Sequence, residues 1–522
     1  MYHKYQKYKQ KYIYNKYILQ TSITNINQAS SIYTNYATIE QRKQKLLDLY
    51  NSIKYENKIY LIGFGAIGKA LLYILLKILD INKKNITIFE YDKTKTSFDP
   101  DIKLTYTKFT KNNYKELLKH LSKDDIIIDC AYEICTADII ELCNNVGAKH
   151  INSCIQEWTG ERTLSDKHIG VVNKNNELKN KDKFNYSCLA SMGCNPGNVS
   201  LWTKIGLHKI AKEKGIKYDD MSYGELAHKL GVQTIHISER DTQTTPKVKN
   251  INEYCNTWAG DGVSFIEEAF NSCELSVGTH ESIYINTTAY QVNKLVNIPD
   301  ILCNLDNKTN SLQKNWYGNM INGYLTLDKK GAYVFAQSYL PYYGRYIGNI
   351  ICHDEAYTIG NSLTLYEDDK IKYKPSVYYV YHPVNEAFMS IHEVKERNKL
   401  QDNCRLLTSE ITSGNDILGL TFYLEDKSVY WIGSLLDINE SRVIFNNECD
   451  SFINATICQV VGGYLSGILY LIKQKEYSGL IFPDDLPHIE CMKIILPFLG
   501  DFIFTKCKFT LDDWTLKSFI IQ

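Results

Sequence analysis

The chain of 522 residues has no excess of charge of either sign and no long apolar run. Lys and Arg together number 59, as do Asp and Glu, so the positive surplus typical of proteins that wrap nucleic acid or anionic membranes is missing. The longest apolar stretch, around Val460 to Ile472, is shorter than the roughly 18 residues of a membrane-spanning helix. We therefore expect a soluble protein with no nucleic-acid partner and no membrane partner.

Paired cysteines and a signal segment are also missing. None of the 15 cysteines lies in a C-x-x-C pair, and many sit inside apolar runs, as buried reduced cysteines do in cytosolic enzymes. The first 20 residues hold five lysines and six tyrosines but lack the continuous apolar segment of a signal peptide. The sequence thus predicts a cytoplasmic location and no metal site. We attribute the 40 tyrosines mainly to codon bias.

The chain alternates between β-rich runs and helical runs from Lys58 onward. The strand KIYLIG is followed by a glycine turn, the helical run ALLYILLKIL and the strand NITIFE, which form a βαβ unit. The helical NNYKELLKHLS, the strand DDIIIDCAY, the helical ADIIELCNNVG and the strand AKHINSCI continue the pattern. This order predicts an α/β fold with a doubly wound parallel sheet of Rossmann type, which binds the cofactor, over residues 55–160.

The remaining segments are less regular. Residues 1–54 form a polar extension with one helical run, IEQRKQKLLDLYNSI, to which we assign no chemistry. Residues 161–450 predict a larger α+β domain for substrate binding and dimerisation, with a largely antiparallel sheet. Residues 451–522 contain the apolar helix ICQVVGGYLSGILYLIKQ, and we expect this helical segment to pack back on the cofactor domain.

A turn with the GxGxxG spacing joins the first strand to the first helix. Its first glycine permits a tight turn, the second leaves room for a pyrophosphate, and the third lets the helix pack on the strand. The acid that ends the next strand would bind the adenosine ribose and repel a 2′-phosphate, which favours NAD over NADP, although Lys93 and Lys95 weaken this preference. A glycine turn of purely structural purpose is the alternative. The predicted cofactor-binding residues are Gly63, Phe64, Gly65, Ala66, Ile67, Gly68 and Glu90.

Four segments of the second domain combine acids, amides and aromatic residues beyond the needs of core packing. They are CNPGNVS, HISERDTQ, CNTWAGDG and ICHDEAY, and each alone is more simply explained as a capped turn or a solvated strand end. With GFGAIG, YYVYHPVNEAFMSIHE, GNDILG, YWIGS and GLIFPDDL, they resemble the bacterial-type homospermidine synthases of the saccharopine dehydrogenase-like superfamily. The resemblance extends from about Lys58 to about Leu499.

This resemblance implies an NAD-dependent aminobutyl transfer with no net redox change. Putrescine, or the aminobutyl end of spermidine, is oxidised to an imine by hydride transfer to bound NAD. A second putrescine captures the imine, ammonia or 1,3-diaminopropane leaves, and the same NADH reduces the product to homospermidine. Such a site needs carboxylates for a dicationic substrate, a general base with a raised pKa and an aromatic face for the iminium. The family also implies a homodimer.

Four residues take catalytic roles by the resemblance. Glu239 matches the inner acid that binds or deprotonates the amine, and Asn195 matches the residue that orients it, although Asn195 alone would be explained as a helix cap. Trp258 matches a tryptophan that faces the substrate cation, where a core tryptophan is the ordinary explanation. His353 matches a histidine that shuttles the proton, and Arg240 is expected to hold neighbouring carboxylates in place.

Substrate binding is assigned, also by the resemblance, to Glu133, Glu268, Asp416 and Gln156. Glu133 follows a strand of the parallel sheet, at its carboxyl end, and Glu267 fits the family position of Glu268 nearly as well. Gln156 is a departure, because the family has an acid there, which is either replaced or shifted to the next residue. This leaves the preferred acceptor amine open. A second departure is Lys69-Ala70 in the glycine loop, where the family has a small and a hydroxyl residue.

Two other functions stay open. A saccharopine dehydrogenase-like or carboxynorspermidine-type oxidoreductase would release its reduced cofactor in each turnover. It would need an Arg/Lys cluster for an α-carboxylate, whereas this sequence offers acids and a tryptophan at the matched positions. An inactive NAD-binding scaffold would show degraded site residues, and only position 156 is altered.

Overall fold

The computed structural model describes residues 38–50, 53–97, 99–158, 185–218, 220–281, 294–297, 317–321, 324–368 and 370–521. Most of the N-terminal extension and the Lys/Asn-rich segment 159–184 lie outside the described residues. The described part contains a parallel sheet of seven strands and a mixed sheet of twelve strands. Together they confirm the predicted class, a Rossmann-type α/β sheet with an additional α+β domain.

The strands in chain order are β1 Ile53–Lys54, β2 Ile59–Ile62, β3 Leu79–Asp80, β4 Ile86–Glu90, β5 Lys103–Tyr106, β6 Ile126–Asp129, β7 Lys149–Asn152, β8 Ser187–Leu189, β9 Val232–Asp241, β10 Glu253–Asn256, β11 Ser272–Ser276, β12 Lys294–Asn297, β13 Tyr317–Ile321, β14 Tyr324–Lys330, β15 Phe335–Leu340, β16 Gly344–Ile351, β17 Leu365–Glu367, β18 Lys370–Tyr373, β19 Ser376–His382, β20 Asn403–Leu406, β21 Asn415–Leu424, β22 Val429–Asp437, β23 Gly479–Ile481, β24 Asp501–Cys507 and β25 Ile520–Ile521.

The α-helices are α1 Ile39–Leu47, α2 Ala66–Ile78, α3 Tyr114–Leu117, α4 Thr136–Val146, α5 Asn198–Glu213, α6 Tyr223–Leu230, α7 Gly262–Phe270, α8 Asp354–Ser362, α9 Asn385–Arg397, α10 Ile438–Ile444, α11 Ala455–Lys473, α12 His488–Ile495 and α13 Leu516–Phe519. Helix α3 is shorter than the run NNYKELLKHLS predicts. The carbonyl of His120 accepts from the ammonium group of Lys58 and the hydroxyl of Tyr60, at 3.1 and 2.9 Å, rather than from a helical N–H.

The first sheet has the strand order β23-β8-β7-β6-β2-β4-β5, and all of its strands run parallel. Strands β2 and β6 are buried along their whole length, which suits the apolar sequences IYLI and IIID. The chain leaves β2 toward β4 on one side and later returns to β6 on the other. The order therefore reverses between β2 and β6, where doubly wound sheets bind ligands at the carboxyl ends of their strands.

Later parts of the chain complete this sheet. Strands β8 and β23 lie beyond residue 160, so the sheet extends past the boundary that the sequence predicts. Helix α11 packs beside it: the Tyr464 hydroxyl donates to the carbonyl of Asp129 at 2.6 Å, and the Lys149 ammonium donates to the carbonyl of Leu471 at 2.7 Å. The segment 451–522 is not purely helical, because β24 and β25 join the other sheet.

Helix α11 is also the one helix of the described residues that is long and apolar enough to cross a membrane. Its 19 residues extend beyond the apolar run recognised in the sequence, and their mean hydropathy reaches 1.6 in the most apolar window. However, 83% of that window is buried inside the protein. A helix that is buried to this extent belongs to the core of the protein.

The second sheet has β9 near its centre. Strand β9 pairs in parallel with β19 and antiparallel with β21, and β21 continues through β22 to β24. Side chains alternate between the two faces of a strand, so Ile237, Glu239 and Asp241 share one face of β9, while His236 and Ser238 share the other. The acids therefore end the strand on a single face.

Candidate active site

The glycine turn between β2 and α2 has the shape that a dinucleotide needs. Gly63 has φ +88°, and a Cβ there would lie 2.8 Å from the carbonyl carbon of Cys130. A Cβ on Gly68 would lie 2.2 Å from the carbonyl oxygen of Gly63, whereas one on Gly65 would meet nothing within 4 Å. The space over Gly65 faces the start of α2, whose first N–H groups, those of Ala66 and Ile67 included, lack intrahelical acceptors. The residues present therefore fit a bound pyrophosphate.

Glu90 ends β4 beside this turn, as the sequence predicts, but it is almost completely surrounded by donors. Its Oε2 accepts the N–H of Phe64 at 2.8 Å and the ammonium of Lys95 at 3.0 Å. Its Oε1 accepts the N–H groups of Tyr91 and Asp92, both at 2.9 Å. Glu90 thus ties the glycine turn to the loop after β4.

Across the molecule, the end of β9 places Glu239 in a buried polar cluster. Glu239 is 3% exposed, and its Oε2 accepts from the amide nitrogen of Asn195 at 3.0 Å and from the hydroxyl of Tyr379 at 2.7 Å. Tyr379 comes from β19, and Asn195 from the turn before α5. Asp416 begins the neighbouring antiparallel ladder, opposite Asp241. The structure therefore brings together Glu239, Asn195 and Asp416, as the resemblance implies.

Burial controls the charge of this cluster. Desolvation raises the pKa of Glu239 to about 8; the hydrogen bond from Tyr379 opposes this rise and the charge of Asp241 adds to it. Desolvation, together with the charge of Glu239, also raises the pKa of Asp416 well above its usual range. Neighbouring carboxylates in a dry site resist ionising together. Glu239 is consequently a carboxyl that can gain and lose a proton near neutral pH, which suits a general base.

The two other acids differ in how the protein surrounds them. Asp241 accepts from the backbone and side chain of Gln243 at 2.9 to 3.1 Å, and from the hydroxyls of Thr257 at 2.6 Å and Thr456 at 3.3 Å. Asp416 accepts at Oδ2 from Gln459 at 2.9 Å, and it makes further side-chain hydrogen bonds with Glu239 and Thr456. Asp416 thus pairs with a second acid, Glu239, whereas Asp241 is bound by neutral donors.

Trp258 belongs to an aromatic wall beside the acids. Its ring stacks on Phe265, with centroids 5.5 Å apart, and meets the edge of Tyr381 at 5.6 Å. Tyr381 stacks on Tyr379 at 5.3 Å, and Tyr379 packs against the ring of His353 at 4.7 Å. Trp258 is only half-buried, which leaves part of its ring open to a bound cation.

His353 lies between two glutamates. Its Nδ1 is 3.2 Å from Glu355 Oε1, and its Nε2 is 3.9 Å from Glu268 Oε2. Burial lowers the pKa of His353, but the charges and hydrogen bonds of Glu355 and Glu268 outweigh it and raise the pKa well above its usual value. The imidazole is therefore held in its protonated form. The side chain of Glu267, the other candidate, is not among those described.

Glu133 and Gln156 are joined through the backbone. Glu133 has φ +62°, a left-handed conformation that few non-glycine residues adopt, and its N–H donates to Gln156 Oε1 at 2.6 Å. The amide nitrogen of Gln156 donates to the sulfur of Cys154 at 2.9 Å. The carboxylate of Glu133 lies 3.9 Å from the ammonium of Lys108. Gln156 thus supports the turn that carries Glu133.

Arg240 does not take the predicted position. It follows Glu239 directly and therefore lies on the opposite face of β9. Its guanidinium lies 5.1 Å from the ring centre of Tyr343, and within the described part of the chain it forms no ion pair and its Nε has no hydrogen-bond partner. Within the described residues, Arg240 therefore does not hold the neighbouring carboxylates in place, and that expectation is wrong.

The sequence reasoning missed several residues that shape the site. Tyr379 and Tyr381 alternate in the run SVYYVYH, which marks them as residues on one face of a strand but does not identify their partner. Gln459 lies in an apolar helix, where an isolated amide is a signal for a buried hydrogen bond. Within the described ranges, no three or more His, Cys, Asp or Glu side chains are grouped to hold a metal ion.

Comparisons with known proteins show what this chain is similar to. Residues 59–186 match the family described as saccharopine dehydrogenase NADP binding domain. A homospermidine synthase of Mesorhizobium japonicum is 28% identical over 480 residues, which cover 88% of this chain and 90% of that protein. One of Blastochloris viridis is 26% identical over 476 residues, covering 86% and 90%.

A solved structure gives the same answer for the fold. The homospermidine synthase of Legionella pneumophila, crystallised in complex with NAD, superposes with a TM-score of 0.76 at 27% identity. The match covers 90% of this chain and 98% of that one. The chain is thus similar to homospermidine synthases over 86 to 90% of its length.

Proposed function

We propose that this protein is a homospermidine synthase, which transfers an aminobutyl group from putrescine or spermidine to putrescine with NAD as its cofactor. The observation that carries the proposal is the buried carboxyl of Glu239, bound by Asn195 and Tyr379 and adjacent to Asp416. Polyamines bring positive charges that must be paired when they leave water. A dry cluster of acids beside an aromatic wall supplies that pairing.

The proposed roles follow from the positions of the side chains. NAD, when bound at the glycine turn, accepts a hydride in the first half-reaction and returns it in the second. Glu239 takes the proton from the reacting ammonium, because a pKa of about 8 lets it do so near neutral pH. Asn195 holds that carboxylate and orients the amine. His353, which the flanking glutamates keep protonated, serves as the proton donor.

Binding and stabilisation of charge fall to the remaining residues. Trp258 offers its half-exposed face to the iminium, a cation–π contact worth roughly 0.5–2 kcal/mol. Asp416, Glu268 and Glu133 bind the ammonium groups that do not react. Gln156 acts on the outer ammonium through the backbone of Glu133.

A label-retention experiment tests the function. The purified protein is incubated with NAD and putrescine that carries deuterium on both terminal carbons, and the amines are analysed by mass spectrometry. We expect homospermidine that retains its deuterium, equimolar ammonia and no accumulation of NADH. Absence of homospermidine would refute the proposal. Loss of deuterium when unlabelled NADH is added would indicate an oxidoreductase that releases its cofactor in each turnover.

We also propose that the protein works as a homodimer in the cytoplasm, without a nucleic-acid or membrane partner. The support is the likeness to the homospermidine synthases and the absence of a charge surplus. Size-exclusion chromatography with light scattering measures the oligomeric state directly. A mass near 60.2 kDa, that of one chain, would contradict the dimer.

A further inference from the structure

Asp354 lies between two residues of the candidate site, and its side chain reaches into the parallel sheet. It is the first residue of α8, after His353 and before Glu355. An acid at this position is usually explained by the dipole of its own helix. However, Asp354 is only 1% exposed, and its Oδ2 accepts the N–H of Ile155 at 3.0 Å and the hydroxyl of Ser191 at 2.5 Å. Ile155 follows β7 and Ser191 follows β8, so the carboxylate joins α8 to two loops of that sheet.

The loop after β7 also supports the outer acid of the site. Ile155 directly precedes Gln156, whose Oε1 accepts the N–H of Glu133 at 2.6 Å. The contact between Asp354 and Ile155 therefore completes a path of two hydrogen bonds. The proton donor His353 stands at one end of this path, and Glu133 stands at the other.

A buried polar network holds the same loop in place. The N–H of Ser191 donates to Asn152 Oδ1 at 3.0 Å, and the amide nitrogen of Asn152 donates to the hydroxyl oxygen of Thr136, also at 3.0 Å. That hydroxyl oxygen accepts the N–H of Gln156 at 3.1 Å, and the N–H of Thr136 donates to the carbonyl of Gln156 at 3.0 Å. Buried hydrogen bonds connected in this way rigidify the segments that they join. Asp354 is the member of the network that anchors it to α8.

A diamine carries its two nitrogens at a limited separation, so a site that binds both of them selects chain length by the spacing of their partners. We propose that Asp354 is a positioning residue that fixes the spacing between His353, beside the reacting nitrogen, and Glu133, at the outer ammonium. The protein thereby selects four-carbon diamines over five-carbon diamines. The proposal rests on the proposed function, which gives His353 and Glu133 these roles. Without the carboxylate of Asp354, two buried donors lose their acceptor and the loop that supports Glu133 shifts.

A competition between two diamines tests the proposal. The protein is incubated with NAD and equal concentrations of putrescine and 1,5-diaminopentane, and mass spectrometry gives the ratio of homospermidine to the mixed triamine with one four-carbon and one five-carbon arm. This ratio reports relative kcat/KM, and partial unfolding of a sample lowers both products alike. For the unmodified protein we expect a ratio of about ten or more, because one methylene in a fitted site is worth about 10–200-fold.

The variants separate positioning from general stability. Asp354→Ala should lower the ratio to about three or less, and Ser191→Ala should lower it by a smaller factor. Asp354→Asn should keep most of the selectivity, since its amide oxygen still accepts from Ile155 and Ser191. Glu281→Gln is the matched control, because it alters a buried acid outside the site and should leave the ratio unchanged.

The outcomes separate this proposal from the function. Homospermidine formed without a preference for putrescine would overturn the positioning role and leave the synthase intact. An unchanged ratio in Asp354→Ala would also overturn it, and so would an equal fall in Glu281→Gln or in Asp354→Asn. If Asp354→Ala does not fold, the ratio of Ser191→Ala decides, and an unchanged value overturns the proposal. Absence of homospermidine with the unmodified protein would overturn both proposals.

Discussion

Replacing Glu239 by glutamine should stabilise the protein while abolishing its turnover. The pKa of Glu239 is about 8 in the folded chain, against 4.5 for an ordinary glutamate. Between these values the folded protein keeps a proton that the unfolded chain has lost, so stability falls as the pH rises from about 4.5 to about 8. At about 1.4 kcal/mol per pH unit, the ionisable group costs about 5 kcal/mol at pH 8.

Glutamine removes this cost but not the contacts. It still accepts hydrogen bonds from Asn195 and Tyr379 through its amide oxygen. Because an amide oxygen is a weaker acceptor than a carboxylate, this change offsets about 1–2 kcal/mol of the stability gained. The net gain at alkaline pH is therefore about 3 kcal/mol. It vanishes at about pH 5.5, where the remaining cost of ionisation is about as large as the penalty of the weaker acceptor, and only below about pH 4.5 is the wild-type carboxyl largely neutral in both states. Calorimetric scans of the apo wild type and of Glu239→Gln at several pH values measure the difference. We expect the midpoint of the variant to lie several degrees higher at alkaline pH.

Glu281→Gln provides a control at the other end of β9. Glu281 is also buried, its pKa is raised to about 7 by desolvation, and it accepts from Ser376, which pairs with Thr234 at the start of that strand. Glu281→Gln should show a similar but smaller pH-dependent rise of the thermal midpoint, and it should retain turnover. If Glu239→Gln shifts the midpoint equally at every pH, Glu239 does not carry a raised pKa and its assignment as the base fails.

Three further substitutions test separate parts of the site. Tyr379→Phe removes a donor that lowers the pKa of Glu239, so the ascending limb of the kcat/KM profile should move to higher pH; an unshifted limb contradicts the contact. Trp258→Ala should reduce turnover about tenfold with little change in thermal midpoint, whereas equal loss of both would indicate a core tryptophan. Gln156→Glu keeps an acceptor for the N–H of Glu133 and adds a charge, so the KM for putrescine should fall at low salt and recover at high salt; a salt-independent KM argues against a substrate contact.

The cofactor half of the site could be predicted from the sequence because its determinants are local. Gly63, Gly65 and Gly68 lie within one turn, and the strand before them and the helix after them show their own periodicity. The pairing of Glu90 with Lys95 involves residues only five positions apart. However, spacing alone gives no indication that the carboxylate would be saturated by protein donors.

The substrate half depends on contacts between distant segments. Tyr379 and Glu239 are 140 residues apart and meet only because β19 and β9 pair in parallel in one register. No short-range pattern specifies that register. The error at Arg240 is different, since the two-residue period of a strand already separates it from Glu239. There the resemblance suggested a role that the local geometry excludes.

The kind of hydrogen-bond partner explains how three buried acids in one cluster can have different tasks. Asp241 is bound by Gln243, Thr257 and Thr456, which join β9 to the loop of Trp258 and to the start of α11, so it fixes the site's shape. Asp416 accepts from Gln459 and makes further side-chain hydrogen bonds with Thr456 and with Glu239, whose charge helps to raise the pKa of Asp416. Two neighbouring acids in a dry site resist ionising together, and an ammonium group relieves that cost. The substrate cation is therefore expected at Asp416 and Glu239, not at Asp241, although all three acids are equally buried.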